Sequence, residues 1–589
     1  MAGVQTTSNV GTVHVWEKLE IVLEAQNSYA NPYTEVQVWV HLKGPEFEKR
    51  IYGFWDAGNI FRIRILAPAP GEWRWTSDSN HADSGLNGKR GRFTAIEWTE
   101  AEKKENSTRR GFIQPTANGH ALEYCDGTPF FLLGDTWWST PTFRYKWYDE
   151  ETHHPIGPEM GFKDMVKYRK RQGFNCIAII AAFPAWANDG KPPFIRLNDA
   201  EKTGIRDAWQ QAGTKSAKDM YNEGGRPFLF PGKVAGYEEV FPDIDRINPL
   251  YFQHMDKKID YLNNQGFIPF IEAARRDTSE VWKKFYPWPL SYARYIQYVF
   301  SRYQANNCIL SPIHYDWDGM SIPSREYNVP ANMVIEKYGP PPFGTLLSAN
   351  ANGSTLVNFG GPEEAKWITL HQIGNWREHN NYQYLTEIFN SSFPCPALNG
   401  EPYYAGWPHN GAPAGTKEDD LYCRSGMYGS FLSGGFAGHI YGAQGLWGGD
   451  IENSADYKMW ESLTWKSAEQ MKHLRAFVMR RGTRYRDLVP HAHLLSPNKT
   501  GNPNGYKGWA YCARTKEKDF FLLYFERDCP KATVRGALPN KNYKAHWFNP
   551  GRGTWHNVGV GKLTAEATGR ITLPPFPSND DWGMSLVSK

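Results

Sequence analysis

Gln172-Gly-Phe-Asn-Cys-Ile-Ala-Ile-Ile180 begins as a turn and runs into an unbroken apolar stretch, and the same opening returns at Gln265-Gly-Phe267 before Ile268 to Ile271. Helical periodicity comes before the second phrase, where Phe252, Met255, Ile259 and Leu262 recur at spacings of three and four. Tyr292, Tyr295, Ile296, Val299 and Tyr303 do the same ahead of Cys308-Ile-Leu310. A striped helix followed by a short, wholly apolar run is an αβ unit of a parallel sheet, because such strands are covered on both faces.

Working outward, eight runs of this kind follow one another: Phe130 to Leu133, Cys176 to Ile180, Ile268 to Ile271, Cys308 to Ile313, Thr345 to Ser348, Trp367 to Leu370, Pro396 to Leu398 and Ala437 to Ile440. Eight strands alternating with helices predict an α/β fold, a (β/α)₈ TIM barrel, over residues 106–483. Between the second and third runs a long segment, Pro184 to Asp245, carries Trp186, Trp209 and Phe228 in a background of Gly, Pro, Asn and charge, as expected of a lid or substrate wall.

The flanks read differently. Residues 1–105 alternate strand-like runs such as Glu35-Val-Gln-Val-Trp-Val-His-Leu with turns, predicting an immunoglobulin-like antiparallel β-sandwich, and the charged stretch Glu100 to Arg110 marks a linker. Residues 484–589 return to strand patterns, with a hairpin turn at Asn549-Pro-Gly551, and predict a second antiparallel β-sandwich. Three units suit a chain of 589 residues.

Composition narrows the partners. With 66 basic against 62 acidic residues and no sustained basic run, nothing favours nucleic acid. Aromatic residues make up 15% of the chain, 24 of them Trp, in an otherwise polar sequence. Rings of that kind stack on the apolar faces of sugars while leaving the hydroxyls free to bond, so a neutral carbohydrate, an oligosaccharide or polysaccharide, is the expected substrate. Seven scattered cysteines without Cys-x-x-Cys pairs indicate neither a structural zinc nor a disulfide framework, and Cys176, Cys308 and Cys395 read as barrel core. No segment is apolar enough to span a membrane, and the start lacks a basic region followed by an apolar one. That implies a periplasmic or secreted protein if a leader has been removed, and a cytoplasmic one otherwise.

Barrel active sites are built at the C-terminal ends of the strands, so polar residues just after apolar runs are the candidates. Asp135 follows the first run beside Trp137 and Trp138, a carboxylate with two indoles. Glu272 follows the third, next to Arg275 and Arg276, which are expected to neutralise it. After the fourth come His314, Asp316 and Asp318, which strand alternation would point to one side. The sixth is followed by His371 and Gln372, and the seventh by Asn399, Glu401 and Tyr403, with Gly400 allowing close approach. The eighth offers His439, Tyr441 and Trp447.

Cleaving a glycosidic bond takes one carboxyl to protonate the leaving oxygen and another to attack, or to activate water, at the anomeric carbon. Asp316 and Glu401, on separate strands with aromatics beside each, are the expected catalytic pair. Asp135, Trp137, Trp138, His314, Asp318, His371, Gln372, Asn399, Tyr403, His439, Tyr441 and Trp447 are the expected substrate-binding residues. No cofactor or metal is needed. Two other readings stay open: a glycan-binding or adhesion protein without turnover, and a metal-dependent barrel hydrolase using the strand-end histidines.

Pro129-Phe-Phe-Leu-Leu-Gly-Asp-Thr-Trp-Trp, Gln172-Gly-Phe-Asn, Leu398-Asn-Gly-Glu-Pro-Tyr-Tyr and Gly438-His-Ile-Tyr-Gly, in that order, resemble the apiosidase-like barrel family of bacterial glycoside hydrolases. The first hundred residues resemble the sandwich that precedes that barrel. The tail around Ala545-His-Trp-Phe-Asn-Pro-Gly-Arg-Gly-Thr-Trp resembles the one that follows it, which carries a collagen-binding label. The resemblance implies a retaining mechanism with Glu401 as nucleophile and the strand-four aspartate as acid/base, Asp135 as a substrate-binding residue, and a plant- or algal-type polysaccharide, apiose-containing pectin being the substrate of part of the family. Where the family usually ends strand four in Gly-Gly-Asp, this chain has His314-Tyr-Asp316-Trp-Asp318, so the acid/base is Asp316 or, two residues on, Asp318; Asp316 is preferred.

Overall fold

In a computed structural model, which describes residues 9–182, 221–235, 238, 242–276, 282–283, 285–318, 322–375, 377, 379–409, 411–453, 455–500 and 505–588, the repeated Gln-Gly-Phe phrase is a helix cap. The helices Phe162–Arg171 and Pro249–Asn264 end at Gln172 and Gln265. Gly173 and Gly266 then take φ of 87° and 83°, the left-handed region that suits glycine. The phenylalanine amides reach back to the carbonyls of Arg169 (3.1 Å) and Leu262 (2.9 Å), closing a Schellman turn that aims the chain into the next strand.

Those strands form one parallel array. We number them β1 (Leu132–Thr136), β2 (Cys176–Ala182), β3 (Ile268–Ala274), β4 (Ile309–Ser311), β5 (Leu346–Leu347), β6 (His371–Gly374), β7 (Ala397–Glu401) and β8 (Gly438–Tyr441). Their order in the sheet is β5-β4-β3-β2-β1-β8-β7-β6, every neighbour parallel, with Gly353–Ser354 adding a ninth, antiparallel strand on β6. The sheet is curled, and just ahead of β6 the amides of Thr369 and Leu370 donate to the Leu347 carbonyl of β5 at 2.9 and 3.0 Å. The helical stripes read from the sequence are buried throughout, from Phe252 to Leu262 and from Tyr292 to Tyr303.

One expected strand and one expected core residue differ from the reading above. Trp367 to Leu370 is not a strand; β6 begins at His371, and Trp367 packs against Phe359 with its indole N–H on Asn328 Oδ1 at 3.0 Å. Cys395, expected in the core, is only half-buried, whereas Cys176 and Cys308 are buried; all seven thiols are free. Of the segment Pro184 to Asp245, residues 184–220, 236–237 and 239–241 lie outside the described residues, as do Trp186 and Trp209. Phe228 is buried against Trp282 and Tyr295.

At the N-terminal side a five-stranded and a three-stranded sheet enclose a core that includes Ile21, Val40, Leu42, Ile63 and Trp73. Arg64 and Arg302 share Asp256 in a buried ion cluster that ties these strands to the helices Pro249–Asn264 and Leu290–Tyr303. At the C-terminal side a six-stranded and a three-stranded sheet enclose Phe521, Leu523, Trp547, Met584 and Leu586, and Asn549 turns the hairpin between Asn542–Asn549 and Thr554–Thr564. Among the described residues, no helix is long and apolar enough to cross a membrane.

Candidate active site

The parallel strands bring their C-terminal ends to one side of the sheet, and a short second tier extends them there. Arg275 bridges to His314, and His314–Tyr315 pairs in parallel with Asn350–Ala351. Acidic and basic side chains meet across this tier. His314 forms a buried ion pair through Nδ1 with Glu272 of β3 and faces Asp316 Oδ1 with Nε2 at 3.6 Å. Glu401, the last residue of β7, accepts from Asn350 Nδ2 at 3.0 Å and from Arg377 Nη2 at 3.2 Å, one donor for each oxygen. Asp316 pairs with Arg276 and, at 3.2 Å, with Arg275. One atom each of His314, Asp316 and Glu401 lie within 4.8 Å of one another.

The charges decide the protonation states. Burial alone would raise the Asp316 pKa, but Arg276, Arg275 and His314 together hold it well below the usual carboxylate range. Burial would also discharge His314; Glu272 and Asp316 outweigh it and lift its pKa to about 9, so it is an imidazolium at neutral pH. Burial raises the pKa of Glu272, with His314 and the Asn350 amide opposing.

His314, Asp316 and Glu401 are also the donor set that could hold a divalent ion. They fit one poorly. Three arginines already neutralise the two carboxylates.

Around the pair stand aromatic rings. Trp138 lies edge-on to His314 with centroids 4.6 Å apart, and its amide donates to the carbonyl of Trp447 at 3.0 Å. The Arg377 guanidinium lies over Tyr404 (4.5 Å) and Trp407 (3.9 Å). Two glycines make the convergence possible. A Cβ on Gly374 would lie 3.2 Å from both Asn350 Oδ1 and Glu401 Cβ, and one on Gly400 would lie 1.8 Å from Gln372 Oε1.

Several expected site residues are elsewhere. Asp135 and Trp137 face the helices, not the pocket: Asp135 accepts from Arg169 Nε (2.6 Å) and Trp137 Nε1 (2.7 Å), and Trp137 packs on Tyr145 and Phe162. Asp318 is exposed, because the ladder stops at Tyr315 and alternation ends with it. Asn399 and Glu401 do not share a face. The register slips between them, and Asn399 donates instead to Ser430 Oγ on the helix Lys417–Leu432 at 2.9 Å.

Tyr403 turns away as well, its hydroxyl on Asp419 at 2.7 Å. Tyr441 bonds Ser467 at 2.9 Å and lies beside Arg169, and His439 is buried next to Gly426 of the same helix, its pKa pushed down to about 3 by burial. His371 contacts Thr355 Oγ1 at 2.8 Å, burial lowering its pKa to about 4, and Gln372 reaches Ser348 Oγ at 2.8 Å.

The arginines after β3 serve Asp316 and not Glu272, contrary to expectation. Asn350, Arg377 and Tyr404 were missed; Asn350 follows an apolar run closely, the same signal that picked out Glu401, whereas Arg377 stands seven residues beyond Leu370.

The family profile "Apiosidase-like, catalytic domain" matches residues 116–483. The chain belongs to the apiosidase-like family of glycoside hydrolases. It is therefore a glycosidase, and carbohydrate is its substrate. A domain of unknown function, DUF5060, matches residues 12–80. No curated protein matches the chain.

Among solved structures, a protein from Bacteroides vulgatus assigned as a glycoside hydrolase is similar at TM-score 0.66 and 18% identity, covering 98% of this chain and 100% of its own. A glycoside hydrolase family 5 protein from the same organism is similar at TM-score 0.57 and 15% identity, covering 82% of this chain and 94% of its own. These likenesses extend the shared fold to the flanking sheets.

Proposed function

We propose that this glycosidase is a retaining enzyme in which Glu401 is the nucleophile and Asp316 the acid/base, acting on a plant- or algal-type polysaccharide or oligosaccharide. The observation that carries this reading is the convergence of the two carboxylates from separate strands, with oxygens within 4.8 Å. Retention calls for a separation of about 5–5.5 Å and inversion for roughly 6.5–9.5 Å, which leaves room for a water. The curled sheet is read here as a (β/α)₈ barrel spanning 106–483, flanked by β-sandwiches over 1–105 and 484–589.

In the first step Glu401 attacks the anomeric carbon while the leaving oxygen takes a proton from Asp316. In the second, Asp316 removes a proton from water, which displaces Glu401 and returns the sugar with its original configuration. Asn350 and Arg377 orient Glu401, one hydrogen bond to each oxygen. Asp316 is held ionised, so the proton of the first step must reach it, and His314 Nε2, 3.6 Å away and charged, is the nearest source. Trp138, Trp407 and Trp447 are the proposed stacking surfaces for the sugar ring.

The ionisation of Asp316 also favours a second reading in which the two acids exchange roles. Incubating the wild type and Glu401→Gln with pectic and other plant and algal polysaccharides tests the assignment. Sugar release by the wild type alone is expected, whereas release by both would remove Glu401 from the chemistry. Activity that survives exhaustive chelation is expected as well; its loss, with restoration by a divalent ion, would favour a metal-dependent hydrolase.

A further inference from the structure

The arginine that serves Glu401 is gripped from outside the curled sheet. Tyr506, just ahead of the C-terminal strand Ala510–Thr515, donates its hydroxyl to the backbone carbonyl of Arg377 at 2.8 Å. Two residues beyond Arg377, His379 Nε2 makes a buried hydrogen bond with Glu526, which follows the strand Phe520–Phe525, and its ring stacks on Trp509 at 4.4 Å. Glu526 is fixed in turn by the Trp509 amide at 3.1 Å and by Ser425 Oγ. Tyr506 also stacks on Tyr422 (4.5 Å) and meets Tyr403 edge-on (5.1 Å), two residues from Glu401 itself. Within the pocket, Arg377 bonds Pro402 O, Asn375 Oδ1 (3.2 Å) and Glu401 Oε1 (3.2 Å).

An arginine side chain has many rotamers, and its hold on a carboxylate is only as good as the backbone that presents it. Here the backbone is pinned at residue 377 and again at 379, both times by the C-terminal strands and their approaches. We propose that Tyr506 and the His379–Glu526 pair are positioning residues for catalysis, so that the C-terminal unit sets the place of Arg377 and, through it, of Glu401. The proposal rests on the reading of Glu401 as nucleophile. It makes the C-terminal unit part of the active-site frame, not a separate binding module.

The test is a double-mutant cycle in the full-length protein, using a polysaccharide the wild type digests. Tyr506→Phe removes one hydroxyl and keeps the ring. It is expected to lower kcat about tenfold with KM unchanged, as a misplacement below 1 Å would. In the Arg377→Gln background the same substitution is expected to do nothing further. Glu526→Gln is the second variant, with the same expected kcat-only loss. An unchanged kcat in Tyr506→Phe, or an equal loss in both backgrounds, would overturn the proposal. Glu401→Gln runs alongside: if it is inactive while Tyr506→Phe is normal, the positioning role alone falls, and if it is active, both readings fall.

Discussion

Asp135 at the end of β1 and Glu401 at the end of β7 both follow apolar strands, both are buried and both meet an arginine, yet they belong to different layers of the molecule. Asp135 faces outward and joins β1 to the helix that follows it through Arg169, which continues to the Leu463 carbonyl at 2.6 Å. Glu401 faces the tier of His314, Asn350 and Asp316 and takes its donors from two other strand ends. What separates them is not the strength of the ion pair but which side of the sheet the carboxylate occupies, one holding the scaffold together and the other facing a partner acid.

The comparison can be broken most forcefully at Glu401. Glu401→Gln should lower kcat by at least about 10³ per folded molecule, whatever stability Arg377 loses with its anion. Thermal unfolding and sugar release measured on the same sample would refute this if activity per folded molecule survived. Asp135→Asn should do the reverse. Leaving Arg169 buried without its anion costs about 3–5 kcal/mol of stability, read by denaturant unfolding, while the folded fraction keeps its turnover. A specific loss of kcat with unchanged stability would move Asp135 into the site.

Protonation sharpens the same contrast. His314, with its pKa raised to about 9 from 6.5, adds stability that is full below pH 6.5 and drains away as the pH rises to about 9. His371 and His439, held down at about 4 and about 3, act at the other end: the unfolded chain takes up protons below pH 6.5 that the folded chain refuses, so stability falls as the pH drops toward 4. His314→Gln should remove this contribution, so its stability between pH 6.5 and 9 should fall less with rising pH than that of the wild type, and an unchanged slope would mean that the imidazolium is not there. The smallest effect is expected at Tyr403→Phe. Loss of its bond to Asp419 should cost about 1 kcal/mol of stability, and activity per folded molecule should match the wild type in initial-rate assays.

The strands were legible where burial on both faces makes the sequence uniformly apolar, as in β2 and β3. β6 was not, because its residues are His-Gln-Ile-Gly and the neighbouring Trp367 to Leu370 is the more hydrophobic run. Strand-end position was enough to nominate Glu401 and Asp316. It could not separate them from Asp135, Asn399 or Asp318, since facing depends on where a strand stops and where its register slips, and Gly400, where the slip falls, reads equally as room for close approach. Arg377 and Asn350 stand 24 and 51 residues from Glu401, and contacts of that separation are set by the curl of the sheet.

A retaining mechanism requires Glu401 to form a covalent bond to the sugar. The direct measurement is to react the enzyme with the 2-fluoro glycosyl fluoride of the sugar released from its polysaccharide and to map the adduct by peptide mass spectrometry. A glycosyl group on Glu401 is the predicted result. An adduct on Asp316, or inverted product with no adduct on either acid, would contradict it.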